Sequence, residues 1–197
     1  MKFPKVNEDF LIDISQELSV EDFLIDKGFE KSLVGLLNTP DNFISKYNKR
    51  PRNYINDENF DRILVDYKPV EGKEEDFKST RGKIYTIVFN NKIVKIGQTS
   101  NTLKNRFSSY ACGTRKYRER GTCSVTNYHI MESAYAVLMG GGSVEVYSYT
   151  VEPILQEINT FGESQKVYCK TEHHYESKLI ELYVRQCGKR PQLSTNG

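Results

Sequence analysis

Lys83-Ile84-Tyr85-Thr86-Ile87-Val88-Phe89, then Asn90-Asn91, then Lys92-Ile93-Val94-Lys95-Ile96-Gly97-Gln98-Thr99, is the stretch that decides the fold. Both flanking runs are rich in β-branched and aromatic side chains, which suit a pleated, half-buried surface. The asparagine pair between them suits a tight hairpin, because asparagine tolerates positive φ. Gly97 to Asn101 reads as a turn, with Ser100 or Asn101 placed to cap a following helix that carries Leu103, Arg106, Phe107 and Tyr110. The local order is therefore strand, strand, helix.

Downstream, residues 111–122 read as a basic, glycine-punctuated loop, and residues 126–139 as a helix ending at Gly140-Gly141-Gly142. Val144 to Val151 alternates like a third strand, and Pro153 to Asn159 reads as a short helix. A last helix runs from Glu172 to Cys187, with Thr171 as cap, Gly188 at its end and Pro191 beyond. Upstream, residues 6–48 read as short helices: Val6 to Leu18, a second capped by Ser19 and ended by Gly28, and a third started by Thr39-Pro40-Asp41. The hexapeptide Glu-Asp-Phe-Leu-Ile-Asp occurs at 8–13 and again at 21–26, an offset that fits no solenoid period. Ile63-Leu64-Val65 reads as a short strand, and Glu71 to Thr80, charged and poor in apolar residues, as a boundary. The expected fold is α+β. A small mixed or antiparallel three-stranded sheet flanked by helices occupies 81–197, with a basic insertion near 111–122, and a helical extension occupies 1–80.

The chain has 197 residues, enough for one sizeable core. Nothing in it approaches the roughly 20 apolar residues that span a bilayer, and the N-terminus lacks an apolar signal core, so a cytoplasmic protein is expected. Cys112, Cys123, Cys169 and Cys187 form no Cys-x-x-Cys pair, which argues against a zinc ribbon and for reduced thiols. Cys169, His173 and His174 are a conceivable ligand set, but their spacing fits a small core thiol and helix-start histidines better. Charge is strongly segregated: residues 1–80 carry a net −5, residues 81–120 a net +9, and residues 121–197 a net −2. A block that basic, lying over the hairpin and its helix, points to a polyanion.

Tyr85 in the first run, Lys95-Ile96-Gly97 in the second, Gly97-Gln98-Thr99 followed by Leu103-Lys104-Asn105-Arg106, and Tyr175-Glu176-Ser177-Lys178-Leu179-Ile180 on the last helix together resemble the GIY-YIG nuclease superfamily. The resemblance spreads over residues 82–196 and departs from the pattern in places. Lys83 replaces the glycine of the first motif, although Gly82 lies one place earlier, and Lys95 replaces the tyrosine of the second. Tyr110 stands where many members have histidine, and the closing Pro-x-x-Asn is displaced, leaving Ser194 or Asn196 for that place.

The resemblance implies that Tyr85 activates or positions the attacking water and that Arg106 holds the phosphate. It also implies that Lys95 supports the phenolate or the water, and that Glu176 binds a divalent ion, Mg²⁺ or Mn²⁺ in its place. These types suit the task. A guanidinium grips phosphate with paired hydrogen bonds, and one carboxylate with waters and phosphate oxygens suits Mg²⁺. Gly97 permits close approach of the backbone. Each residue also has an ordinary structural reading: a strand tyrosine, an outward lysine, a solvated arginine, an exposed glutamate.

The eighty residues before the hairpin and the insertion between Arg106 and Glu176 look most like the superfamily's type II restriction endonucleases. That likeness implies a sequence-specific double-strand DNA endonuclease, acting as a homodimer on double-stranded DNA. Candidate DNA contacts are Lys104, Arg115, Lys116, Arg118 and Arg120, with Arg50, Arg52 and Asn53 in a second polar stretch. The alternatives are a catalytically inactive DNA-binding protein on the same fold, a homing- or repair-type nuclease, and an RNA-acting one.

Overall fold

The computed structural model describes residues 3–38, 63–111 and 113–194. In chain order its elements are α1 (Val20–Phe23), β1 (Glu30–Leu37), β2 (Val65–Pro69), α2 (Glu74–Lys78), β3 (Lys83–Phe89) and β4 (Lys92–Thr99). Then come α3 (Leu103–Ala111), α4 (Arg115–Glu119), α5 (Val125–Met139), β5 (Val144–Thr150), β6 (Ile154–Thr160), β7 (Glu163–Cys169) and α6 (Glu172–Cys187). The fold class is α+β, an antiparallel sheet flanked by helices.

The sheet is larger than the three strands read from the sequence. Five antiparallel strands lie in the order β2-β1-β5-β3-β4, so the segment before residue 80 contributes two of them. β1 was hidden inside a stretch read as helical. Its Gly35 lies where an added Cβ would meet Val144 Cγ1 at 2.6 Å, so that residue reports close strand approach rather than a break. β5 is not an edge strand but the centre, paired to β1 on one side and β3 on the other.

Helices cover both faces, and the period of two in β3 sorts its side chains between two cores. Tyr85, Ile87 and Phe89 join Phe107, Tyr110, Ile130, Ala134 and Tyr135 of α3 and α5. Ile84 and Val88 join Ile93, Ile96, Leu179, Ile180 and Tyr183 on the α6 side, with Phe23 and Leu24. Every residue of β3 is buried, which explains its nearly continuous apolar sequence. Asn90 and Asn91 have φ of 47° and 66°, the positive values the hairpin turn requires. The free edge of β4 is sealed: Ile93 N–H donates to Leu18 O at 2.9 Å, Leu193 N–H to Val94 O at 2.8 Å, and Ile96 N–H to Ser194 Oγ at 2.8 Å.

Several local expectations are corrected. Val6–Leu18 is not a helix. Only Glu8–Phe10 makes a 3₁₀ turn, because Asn7 and Asp13 side chains accept from the backbone N–H groups two residues on and compete with helix formation. The repeated hexapeptide does have a repeated local outcome, each copy opening on a short capped turn, with Asn7 and Ser19 as caps. The cap of α3 is Thr102, whose Oγ1 accepts from Asn105 N–H at 3.0 Å; Asn101 instead accepts from Thr102 N–H at 2.7 Å. Residues 111–122 are not all loop, since Thr114 caps α4. Residues 153–159 are not helical but form β6, paired with β7. α6 has the expected bounds and ends at left-handed Gly188, but Thr171 makes no side-chain cap bond. The start at Thr39 lies outside the described residues.

Candidate active site

Tyr85 and Gly97 are cross-strand partners in the β3–β4 ladder, as are Ile87 and Lys95, so Tyr85 and Lys95 rise from the same face of the sheet. Between those two pairs and the turn the register slips and leaves Val94 unpaired, a bulge that re-aims the end of β4. The Tyr85 hydroxyl sits directly over Gly97. A Cβ there would come within 2.5 Å of Tyr85 Oη, so any side chain at 97 would evict the phenol. α3 brings Arg106 and Tyr110 down onto the same hydroxyl. Arg106 Nε–H donates to Tyr85 Oη at 2.7 Å, and the Tyr110 and Tyr85 hydroxyls hydrogen-bond at 2.6 Å. The guanidinium also lies 4.7 Å from the Tyr110 ring centroid, and Phe107 packs edge-on to both tyrosines.

Lys95 is buried, and its ammonium donates to the Leu193 carbonyl at 3.0 Å. Burial, reinforced by Arg106 and opposed by Glu176, pushes the Lys95 amine down to about 8. Glu176, on the second turn of α6, is 20% exposed, with His173 Nδ1 3.9 Å away. Burial raises its carboxyl above the usual range, while Lys95, His173 and Arg106 pull it back. Tyr85 is raised by burial and by Glu176, against Arg106 and the Tyr110 hydrogen bond. Tyr85, Lys95, Arg106 and Glu176 therefore lie within one electrostatic neighbourhood, although the sheet strands and α6 that carry them are far apart in sequence. His174 is exposed, its ring 6.2 Å from that of His173.

Among the described residues, no three His, Cys, Asp or Glu side chains come close enough to hold a metal ion. Cys169, His173 and His174 thus form no ligand set. Glu176 is the carboxylate facing the cluster, and a half-buried carboxyl with a raised pKa is a group whose charged form a dication would favour. The residues fit a singly anchored divalent ion completed by waters and phosphate oxygens.

The departures from the motif have local explanations. Lys83, in place of the first glycine, is fully buried and donates to Asp76 Oδ1 at 2.6 Å and Thr150 Oγ1 at 3.0 Å, pinning α2 to the sheet. Gly82 fills a close-packed position, since a Cβ would meet Glu172 Oε1 at 2.0 Å. Ser194 Oγ accepts from Ile96 N–H at 2.8 Å and donates to Ile96 O at 3.2 Å, while Asn196 lies outside the described residues.

The basic candidates separate. Arg115 is tied into the fold: its Nε and Nη2 grip Glu132 at 2.6 and 2.9 Å, and Nη2 also donates to Lys5 O at 2.8 Å. Glu132 is buried, and a buried carboxylate has to be paired. Lys104 and Arg120 are exposed; so is Arg118, whose Nη1 donates to Cys123 O at 3.3 Å, while Lys116 is half-buried. Arg50, Arg52 and Asn53 lie outside the described residues. Sequence reasoning missed the Arg115–Glu132 pair and the Leu193 carbonyl beneath Lys95; neither has a local signal, because the partners are 17 and 98 residues apart.

No protein-family model matches the chain, and no curated protein matches it in sequence. Among solved structures, the chain is similar to restriction endonuclease HPY188I in complex with product DNA. The TM-score is 0.55 at 22% identity, over 100% of this chain and 94% of that one. A looser likeness is to a mutant of bacteriophage T4 EndoII, with TM-score 0.43 and 16% identity over 84% of this chain and 95% of that one. The first likeness extends over nearly the whole length of both chains, and what it shows is a shared fold. No described helix is long and apolar enough to cross a membrane.

Proposed function

We propose that the protein is a divalent-metal-dependent, sequence-specific double-strand DNA endonuclease of the GIY-YIG type, acting as a homodimer. One observation carries the reading: Tyr85 Oη, buried over Gly97, is held by Arg106 and Tyr110 and sits in the same electrostatic cluster as Lys95 and Glu176. Phosphodiester hydrolysis needs a proton acceptor for water, a cation for the developing charge and support for the leaving oxygen. The likeness of fold to HPY188I, whose structure holds product DNA, and the net +9 over residues 81–120 favour a DNA substrate.

In this mechanism Tyr85 is ionised before attack, its own proton passing to solvent, and the phenolate Oη takes the proton of the attacking water as it returns to phenol. Arg106 Nε–H and the Tyr110 hydroxyl lower the cost of that prior ionisation by donating to the phenolate oxygen. Lys95, anchored on Leu193 O and facing Glu176 and Arg106, orients the water. As the phosphate enters, the Arg106 guanidinium turns its remaining N–H donors on the non-bridging oxygens. Glu176 would hold Mg²⁺, or Mn²⁺ in its place; when bound, that ion would supply Lewis-acid charge for the developing negative charge. Lys104, Lys116, Arg118 and Arg120 are assigned to the backbone of the duplex.

A supercoiled plasmid digest in Mg²⁺ tests the reading. Discrete fragments from the wild type, and a loss of about 10²- to 10³-fold in Glu176→Ala with an unchanged circular dichroism spectrum, are expected. Equal cleavage by both proteins, or none by either, overturns it; a smear or single nicks would replace restriction by a non-specific or nicking activity.

A further inference from the structure

β6 and β7 pair only with each other, in a two-stranded sheet separate from the main one. A lone two-stranded hairpin is marginal in water. Its register sorts the side chains into two faces. Ile154, Ile158, Val167 and Cys169 share one, while the charged pair Glu157–Lys166 lies on the other with Leu155 and Tyr168. At the tip, Phe161 and Gly162 form the turn with φ of 55° and 87°. A phenylalanine in left-handed backbone is unfavourable and uncommon. Here it presents a ring that is wholly exposed, at 103%.

At the root of the same hairpin is an open cavity of about 240 Å³ between α6, Phe29 and the end of β5. Tyr149 and Tyr175 stack along its wall at 6.3 Å and 22°, Phe29 leans on Tyr149 at 5.8 Å, and Leu179 forms its floor. Lys27 and Lys178 stand at its rim. A cavity of about 150 Å³ is enough to hold a benzene ring, so the space suits a phenyl group. The hairpin net charge over residues 152–170 is −1, and Glu163 flanks the tip. This charge disfavours insertion beside phosphates and matches the rim lysines. Their present partners, Asp26 and Glu181, make surface ion pairs that exchange at little cost.

A knob and a hole on one chain raise the question of whether they meet within it. Tyr149 and Tyr175 each lie within a few residues of the hairpin's root, whereas its tip is seven paired residues away, about 23 Å at ~3.3 Å per residue. While the strands stay paired, the tip cannot fold back into its own cavity. We infer that Phe161 of one copy seats in the Phe29–Tyr149–Tyr175 cavity of a second copy, and reciprocally, in a two-fold dimer joined by exchanged hairpin arms. An isologous exchange of this kind uses each complementary pair twice. The inference names the surface behind the homodimer of the proposed function and rests on that reading for its purpose, but it is tested without cleavage.

The test places a photo-crosslinking benzoylphenylalanine at position 161 of the full chain, free and on duplex DNA. The expected result is a crosslinked dimer whose joined peptides contain Tyr149, Tyr175 or Leu179. Lys178→Glu lowers its yield severalfold, and adding Glu163→Lys restores it. Crosslinks to DNA, crosslinks to any other surface, or a monomer by sedimentation in both conditions would overturn the inference. A monomer that still cleaves would leave the catalytic assignment standing, and an inactive dimer would leave the exchange standing.

Discussion

The two hairpins of this chain are built alike and end up in opposite environments. β3–β4 and β6–β7 are both antiparallel pairs closed by two-residue turns with positive φ, Asn90-Asn91 in one and Phe161-Gly162 in the other. β3 is buried at every residue, whereas β6 and β7 are exposed at most of theirs. The difference lies in the side chains, not the turn. Ile84-Tyr85-Thr86-Ile87-Val88-Phe89 offers apolar groups to both faces, so helices can pack on each. Ile154-Leu155-Gln156-Glu157-Ile158-Asn159 offers too few to either face for the core to claim it. A polar group held in the first hairpin is fixed by its surroundings, as Tyr85 is by Gly97, Arg106 and Tyr110. The second hairpin is free to reach outward.

The contrast is sharpest in stability. Ile87→Ala, at a fully buried position, is expected to cost about 2–5 kcal/mol and to lower Tm by roughly 4–20 °C in a thermal melt. A drop of under a degree would mean that β3 is not the packed centre described. Next in size is a pH effect. Lys95 is cationic below its pKa and loses its charge as pH rises through about 8, so kcat/KM for cleavage should fall about tenfold per pH unit above that value. Lys95→Arg should carry the falling limb to higher pH; an unmoved limb would remove Lys95 from the assignment. The smallest effect belongs to the second hairpin. Leu155→Ala, 51% exposed, should change stability by no more than about 0.5 kcal/mol, and a large drop in Tm would show that the arm is part of the folding unit.

Legibility in the sequence followed the same division. Asn90-Asn91 between two β-branched runs, and Gly188 after a periodic helix, are local signals, and the elements they mark formed where expected. Phe161-Gly162 is as local, but phenylalanine at positive φ is no standard turn signal, and Pro153 looked like a helix start. β2 was read at 63–65 and lies at Val65–Pro69, whereas β1 was obscured for another reason. Gly35 weakens a strand pattern unless a neighbouring backbone demands it, and Val144, which does, lies more than a hundred residues away. Lys83 read as a defect in a motif; only the packing of Asp76 against it reveals a buried ion pair.

By itself the sequence determined the types of chemical group available and their order, because caps, turns and the period of two act over a few residues. It did not place Tyr85 opposite Gly97: the two-residue turn alone would pair Tyr85 with Ile96, and the bulge at Val94 moves the register by one. The tertiary structure decided what surrounds those groups: that Leu193 O sits under Lys95, that Glu132 takes Arg115, that α6 brings Glu176 to the cluster, and that one hairpin is covered while the other is not. Burial and charge pairing depend on partners distant in sequence, and those distances close only when the two faces of the sheet are packed.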